Sequence, residues 1–198
     1  MTVTAVVPIR SFDGLTRLAH VLDDEARTGL MLRLVEHTVS VIHRARLPVL
    51  IVSSNPTVAT WGDAHADQVV EEPLAGGLDA AALAGVSAAA GPWMVVHADL
   101  PALTVGDIVA AARSVVRSTV IAPSRDGGTS LIGSEGDPPQ FRYGPGSFHR
   151  HLSVVRGQAT ILVRPGLALD LDRPWDLTAL HHLGYLSGDT AQAEPRDL

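Results

Sequence analysis

Cysteine and lysine are both missing from this chain of 198 residues. Without cysteine there is no disulfide framework, no thiolate metal site and no thiol nucleophile. Without lysine there is no Schiff-base amine and no P-loop lysine. Any phosphate must therefore be held by arginine, backbone amides or a metal. All 15 basic residues are arginine. Aromatic residues contribute only 4%, which leaves a core of mainly alanine, valine and leucine. No apolar run approaches a membrane span, and the first residues lead straight into a strand-like segment; the expectation is a soluble, cytoplasmic protein. The formal net charge of -6 argues against a general grip on nucleic acid or on an anionic membrane.

What is present is a chain with 46% hydrophobic residues, too many for disorder. Its length fits one domain, read as residues 1–186, followed by a polar tail over 187–198. Thr2 to Ile9 is β-branched and apolar, a first buried strand, and Arg10 to Leu22 reads as a loop. Helical spacing of Leu30, Leu34, Val35, Val41 and Ile42 follows a start signal at Asp23 or Asp24. Pro48 to Ser53 is a second strand, ended by Asn55-Pro56, and Gln68 to Val70 a short third. Gly76-Gly77 opens an alanine-rich helix from Leu78 to Ala90. Trp93 to His97 is a strand, and Thr104 caps a helix towards Val116. Further strands are expected at Thr119 to Pro123, Thr129 to Ile132 and Thr160 to Val163. Helices are expected from Ser147 and from Pro174 to Leu183. Strands alternating with helices predict an α/β fold with a mostly parallel, mixed sheet and helices on both faces. Gly133 to Gly144 reads as a loop over the site.

Acidic residues stand where apolar runs end, in Val95-Val96-His97-Ala98-Asp99-Leu100-Pro101 and Leu167-Ala168-Leu169-Asp170-Leu171-Asp172. A carboxylate at the end of a buried strand emerges at the sheet edge where α/β proteins bind ligands. A spacing of two turns Asp170 and Asp172 to one side of an extended chain. Like charges that close repel unless a cation separates them, and oxygen-only ligands favour a hard ion such as Mg²⁺ beside phosphates. The competing reading is that Asp172 or Asp176 caps the helix after Pro174. Arg10 and Arg17 follow the first strand, where their forked donors suit a polyphosphate or are simply solvated. The absence of G-x-G-x-x-G there excludes a dinucleotide fingerprint. Gly76-Gly77-Leu78-Asp79, Asp126-Gly127-Gly128-Thr129 and Gly144-Pro145-Gly146-Ser147 are turns whose backbone can approach an anion, or else ordinary turns and caps.

These landmarks, with Thr16-Arg17-Leu18-Ala19, Phe148 and His151, resemble the guanylyltransferases of deazaflavin coenzyme F-420 biosynthesis from Val6 to about Leu183. That family joins GMP from GTP to 2-phospho-L-lactate or phosphoenolpyruvate. The resemblance implies a Rossmann-like nucleotidyltransferase fold, a glycosyltransferase-A-like three-layer sandwich. It implies Mg²⁺ on Asp99, Asp170 and Asp172. Pro8, Arg10 and Arg17 would lie along the nucleotide, with Gly77, Leu78 and Asp79 near the base or ribose. Thr129, Gly144 and Ser147 would hold the phosphorylated acid. Asp99, Arg10 and Arg17 would carry catalysis, GTP is the co-substrate, and the assembly allowed for is a homodimer.

Four positions depart from the family pattern, Arg10 standing for a strand-one lysine with its charge kept and its geometry changed. Leu15 stands for a usual lysine, Asp79 for a usual asparagine, and Ser130 for another. They keep two alternatives open: a nucleotidyltransferase using 3-phosphoglycerate or a sugar phosphate, and a non-catalytic nucleotide-binding relative. An acceptor phosphate is already ionised, so no general base is required. His97 is expected to pack at a strand end and His151 to support the acceptor loop.

Overall fold

Continuous apolar runs make strands that are buried on both faces, and such strands pair in parallel when helices cover the sheet. A computed structural model describes residues 2–73, 75–155 and 158–185 and has this arrangement. In chain order its elements are β1 (Thr4–Pro8), α1 (Asp24–Arg44), β2 (Val49–Val52), α2 (Pro56–His65), β3 (Gln68–Val70), α3 (Gly77–Ala88) and β4 (Trp93–Val96). They continue as α4 (Val105–Val115), β5 (Thr119–Pro123), β6 (Thr129–Ser134), α5 (Ser147–Val154), β7 (Ala159–Ile161), α6 (Pro165–Ala168) and α7 (Pro174–His182). The seven strands form one sheet in the order β3-β2-β1-β4-β6-β5-β7. β6 runs antiparallel to β4 and β5, and the other pairs are parallel.

Alternate residues of each strand feed two cores. Ala5, Val7, Ile51, Met94 and Val96 pack with Val35 and Ile42 of α1 and Ile108 of α4. Val6, Leu50, Val52 and Val95 pack with Ala81, Ala82 and Val86 of α3 on the opposite face. The fold is therefore a three-layer α/β sandwich. The alanine-rich α3 sits unusually close to the sheet: a Cβ at Gly85 would lie 2.3 Å from Val6 Cγ1. A smaller cluster of Leu18, Leu30, Leu34, Leu171, Leu177 and Leu180 ties α7 to α1.

Cap chemistry sets the helix starts. Asp23 accepts from Ala26 N–H at 2.8 Å, and Thr104 and Asp107 form a reciprocal capping box. Asn55-Pro56 ends β2 as expected but also opens α2, a helix the hydrophobic pattern does not announce. The Asn55 side chain accepts from Thr57 and Val58, and Pro56 occupies the first turn.

One expectation is corrected. Leu167 to Asp172 is no strand end: its apolar residues belong to the single turn of α6 and an extended stretch beyond it. Pro165 starts that turn. Gly166 lets it lie against α4, since a Cβ there would be 2.1 Å from Asp107 Oδ2. The stretch is held across the strand ends by Arg125 N–H to Ala168 O and Leu171 N–H to Asp99 O, both 2.9 Å. The expected polar tail, 187–198, lies outside the described residues.

Candidate active site

β1 is flanked by β2 on one side and β4 on the other, so the chain changes direction across the sheet between β1 and β4. Crevices beyond the carboxyl ends of strands at such a point are where α/β sheets bind ligands. A cleft of about 660 Å³ opens there, lined by Pro8, Arg10, Arg17, Leu78, Asp99 and Asp172 among others. Its near wall is the loop after β1. Leu15 takes a left-handed conformation (φ 54°) that starts a 3₁₀ turn at Thr16–Leu18 and aims Arg17 into the cleft. The Leu15 side chain packs on the leucine cluster of α1 and α7, so the position gives the cleft no cation.

Two of the three aspartates, Asp99 and Asp172, reach the cleft from two segments, and Asp170 lines the adjoining pocket. Asp99 follows β4, and Asp170 and Asp172 flank Leu171, whose buried side chain anchors the stretch. The Asp99 side chain is 31% exposed, yet its Oδ1 is closed off and has no partner among the described residues. Burial, with the charges of Asp172 and Asp126, pushes Asp99 up to about 6. Burial and the charges of Asp99 and Asp126 push Asp170 up to about 7. Asp172 differs: its Oδ2 pairs with the Arg17 guanidinium and lies 3.8 Å from Arg173 Nε. Among the described residues no three histidine or carboxylate side chains converge as a ready-made metal cage. A hard divalent cation nevertheless fits Asp99 and Asp170, which offer oxygen only, hold an unpartnered atom and repel one another. Asp172 has only its Oδ2 engaged by Arg17, which leaves its Oδ1 open.

Asp170 and Asp172 also border a side pocket of about 300 Å³ with Asp126, Arg173 and Trp175. The capping role weighed for Asp172 or Asp176 belongs to Asp176. It accepts from Arg173 N–H at 2.8 Å and Asp172 N–H at 3.2 Å, and pairs with Arg125. That leaves the Asp172 carboxylate out of the helix cap.

On the far side, Gly77 and Leu78 open α3, but Asp79 neither caps its helix nor points free. Its Oδ1 accepts from Tyr143 N–H at 2.7 Å, joining α3 to the segment that carries Gly144. Gly144 and Gly146 have φ of 105° and 69°, values that suit glycine, and lead into α5. Beneath that turn Thr129, Ser147 and His151 are buried and linked. Thr129 Oγ1 is 2.9 Å from His151 Nδ1 and 3.1 Å from Ser147 Oγ. Ser130 turns away, donating to Ala122 O on β5 at 3.2 Å. Burial pushes both His97 and His151 down to about 4, so each imidazole is neutral near pH 7. His97 Nδ1 stands 3.9 Å from Asp99 Oδ1.

The structure thus gathers Pro8, Arg10, Arg17, Leu78, Asp99 and Asp172 on one cleft, and Thr129, Ser147 and Gly144 at a second locus. Asp79 and Tyr143 belong to the tie between α3 and that second locus. The sequence reading sets Asp79 near the base or ribose rather than against Tyr143, and Tyr143 carries no local signal beyond the neighbouring glycines.

Strand order, acidic cleft and glycine-rich turns together define the nucleotidyltransferase class of Rossmann-like sandwiches. Solved structures agree on the fold. A nucleotidyl transferase from Methanothermobacter thermautotrophicus superposes with a TM-score of 0.62 at 18% identity, covering 93% of this chain and 99% of that one. The CofC-like guanylyl transferase family matches residues 3–184, and the chain belongs to that family. A phosphoenolpyruvate guanylyltransferase from Rubrobacter xylanophilus is 34% identical, covering 93% of this chain and 96% of its own length. A 3-phospho-D-glycerate guanylyltransferase from Phenylobacterium zucineum is also 34% identical, over 87% and 86% respectively.

Proposed function

We propose that the protein transfers GMP from GTP to a small phosphorylated acid, phosphoenolpyruvate or 2-phospho-L-lactate, releasing pyrophosphate, as a cytoplasmic step of coenzyme F-420 biosynthesis. The observation that carries this is the unpartnered, buried Oδ1 of Asp99, crowded by other carboxylates at the floor of a cleft that also holds Arg10 and Arg17. Asp99, Asp170 and Asp172 would hold Mg²⁺, Asp172 through the oxygen that Arg17 leaves open. When bound, the ion supplies charge neutralisation at the α-phosphate and the departing pyrophosphate.

The remaining work falls to the chain itself. Arg10 and Arg17 lie along the triphosphate, and the α3 N-terminus receives the nucleoside. The Gly144–Ser147 turn positions the acceptor. A phosphate oxygen of the acceptor attacks the α-phosphorus, a new P–O bond forms, and the bond to the β-phosphate bridging oxygen breaks. The attacking oxygen is already anionic, so catalysis consists of placement and charge stabilisation. Neutral, low-pKa His97 and His151 are poorly matched to proton transfer near pH 7.

The test is incubation with GTP, Mg²⁺ and each of phosphoenolpyruvate, 2-phospho-L-lactate and 3-phosphoglycerate, following pyrophosphate. Release with one acid and GTP is the expected result. No release from folded protein with any acid ends the reading. Turnover with 3-phosphoglycerate alone, the substrate in the Phenylobacterium relative's name, would move the acceptor and keep the chemistry. The departures at Leu15, Asp79 and Ser130 give little support to a non-catalytic relative. Each side chain has a structural partner that leaves the cleft intact.

A further inference from the structure

We propose that His151 is a positioning residue which, by its tautomer, makes the Thr129–Ser147 hydroxyl pair a net hydrogen-bond donor toward the acceptor's anionic oxygens. The proposal rests on the functional reading above and names a residue that acts through the acceptor locus.

The argument is a count of protons. His151 Nε2 lies 2.8 Å from the backbone nitrogen of Arg142. A backbone N–H can only donate, so Nε2 accepts, and a neutral imidazole must then carry its proton on Nδ1. That proton is given to Thr129 Oγ1 at 2.9 Å. Thr129 and Ser147 hold two hydroxyl protons between them, and one closes their mutual bond at 3.1 Å. The other has no acceptor among the described residues, whichever hydroxyl carries it. With the opposite tautomer, Thr129 would donate to Nδ1 and Ser147 to Thr129, and nothing would be left over. The Arg142 N–H, through the ring, therefore decides whether the pair presents a proton or only lone pairs.

Thr129 and Ser147 are each only 2% exposed, where an unmet hydroxyl proton is costly. Carboxylate and ionised phosphate oxygens only accept, which makes them the matching partners. The pair lies directly under the turn proposed to hold the acid, since Ser147 N–H donates to Gly144 O at 3.0 Å. The ring is fixed by Tyr143, edge-on at 4.8 Å between centroids.

Two glutamine and asparagine variants separate the ring nitrogens. His151→Gln can place an acceptor for Arg142 but loses the donor to Thr129. His151→Asn keeps an N–H near the Nδ1 position. His151→Gln should raise the KM for phosphoenolpyruvate about 10- to 100-fold while the KM for GTP stays within about twofold. His151→Asn should recover most of that loss. Adding His151→Gln to Thr129→Val should cost nothing further, because the histidine acts through the threonine. Equal losses in the two variants, or equal rises in both KM values, would overturn the proposal. Independently of folding in any variant, long-range ¹H–¹⁵N NMR of the wild-type protein should find Nδ1 protonated and Nε2 bare; a protonated Nε2 overturns it outright. Should no acid be turned over, the functional reading fails by itself, and the NMR result still reports the tautomer.

Discussion

The acidic cleft and the acceptor locus are both polar clusters inside an apolar sandwich, and they are built on opposite terms. At and beside the cleft, Asp99 and Asp170 repel, one Asp99 oxygen has no partner among the described residues, and both groups are pushed up in pKa. At the acceptor locus both ring nitrogens of His151 and the hydroxyls of Thr129 and Ser147 are bonded, and His151 is held neutral, with a single hydroxyl proton to spare. One cluster stores repulsion; the other stores geometry. Removing charge should therefore help the fold in the first, and removing a bond should harm it in the second.

The largest effect follows from Asp170→Asn or Asp99→Asn. Either should lower guanylyl transfer at least about 100-fold, since charge stabilisation is the main catalytic term here. The same changes should stabilise the apo protein. The folded pKa is raised, so between about 4 and 7 the native state binds more protons than the unfolded chain. Stability from these groups is then lost as pH rises through that window, and an amide escapes the loss. Allowing for solvent at both side chains, the gain at pH 8 is about 1 kcal/mol, or roughly 2–4 °C in Tm. Retained turnover would place the cation elsewhere. A lowered Tm at pH 8 would remove the repulsion from the contrast.

The pH profile sharpens the same point. Mg²⁺-dependent turnover should fall as pH drops from about 7 through about 6, as the coupled pair of Asp170 and Asp99 takes up protons. Raising Mg²⁺ should move the midpoint lower, because metal and proton compete for the same oxygens. A midpoint insensitive to Mg²⁺ would assign the titration to another group. Arg17 lies between the extremes. Its pair with Asp172 is solvent-exposed on the arginine side and adds little stability. Arg17→Gln should shift Tm by no more than about 1–2 °C yet raise the KM for GTP about tenfold or more. An unchanged KM would leave Arg17 as a partner of Asp172 alone.

Much of this was legible in the sequence. Buried apolar runs, caps at Asp23 and Thr104, and the alternation of elements gave the sandwich, because each is a local signal with a local cause. The spacing of two that drew attention to Asp170 and Asp172 holds although Leu167 to Asp172 is a turn and an extended stretch, not a strand. A period of two needs only extended backbone, and Leu171 N–H to Asp99 O supplies it without a ladder. Helix α2 was missed because Asn55-Pro56 serves equally as a strand stop and a helix start. The tie from Asp79 to Tyr143 spans 64 positions and leaves no periodic trace. His151 was expected to support the loop, but its tautomer depends on a backbone N–H that no sequence pattern displays.

Asp79 gives the smallest expected effect and the finest cut between the two regions, since it joins α3 beside the cleft to the segment that carries Gly144. Asparagine keeps an oxygen for Tyr143 N–H and removes only the charge, so Asp79→Asn should change Tm by no more than about 2 °C. It should also leave the KM for phosphoenolpyruvate within about threefold, the size of a hydrogen bond that weakens without breaking. Asp79→Leu removes the acceptor altogether and strands a partly buried N–H, at about 1–3 kcal/mol. Because the freed segment carries Gly144, the loss should appear in the KM for the acid before that for GTP. The reverse order would mean that Asp79 works from the nucleoside side of the cleft. Its bond to Tyr143 would then be incidental, and the segment would be held by His151 and by Arg150, which donates to Tyr143 O at 2.9 Å.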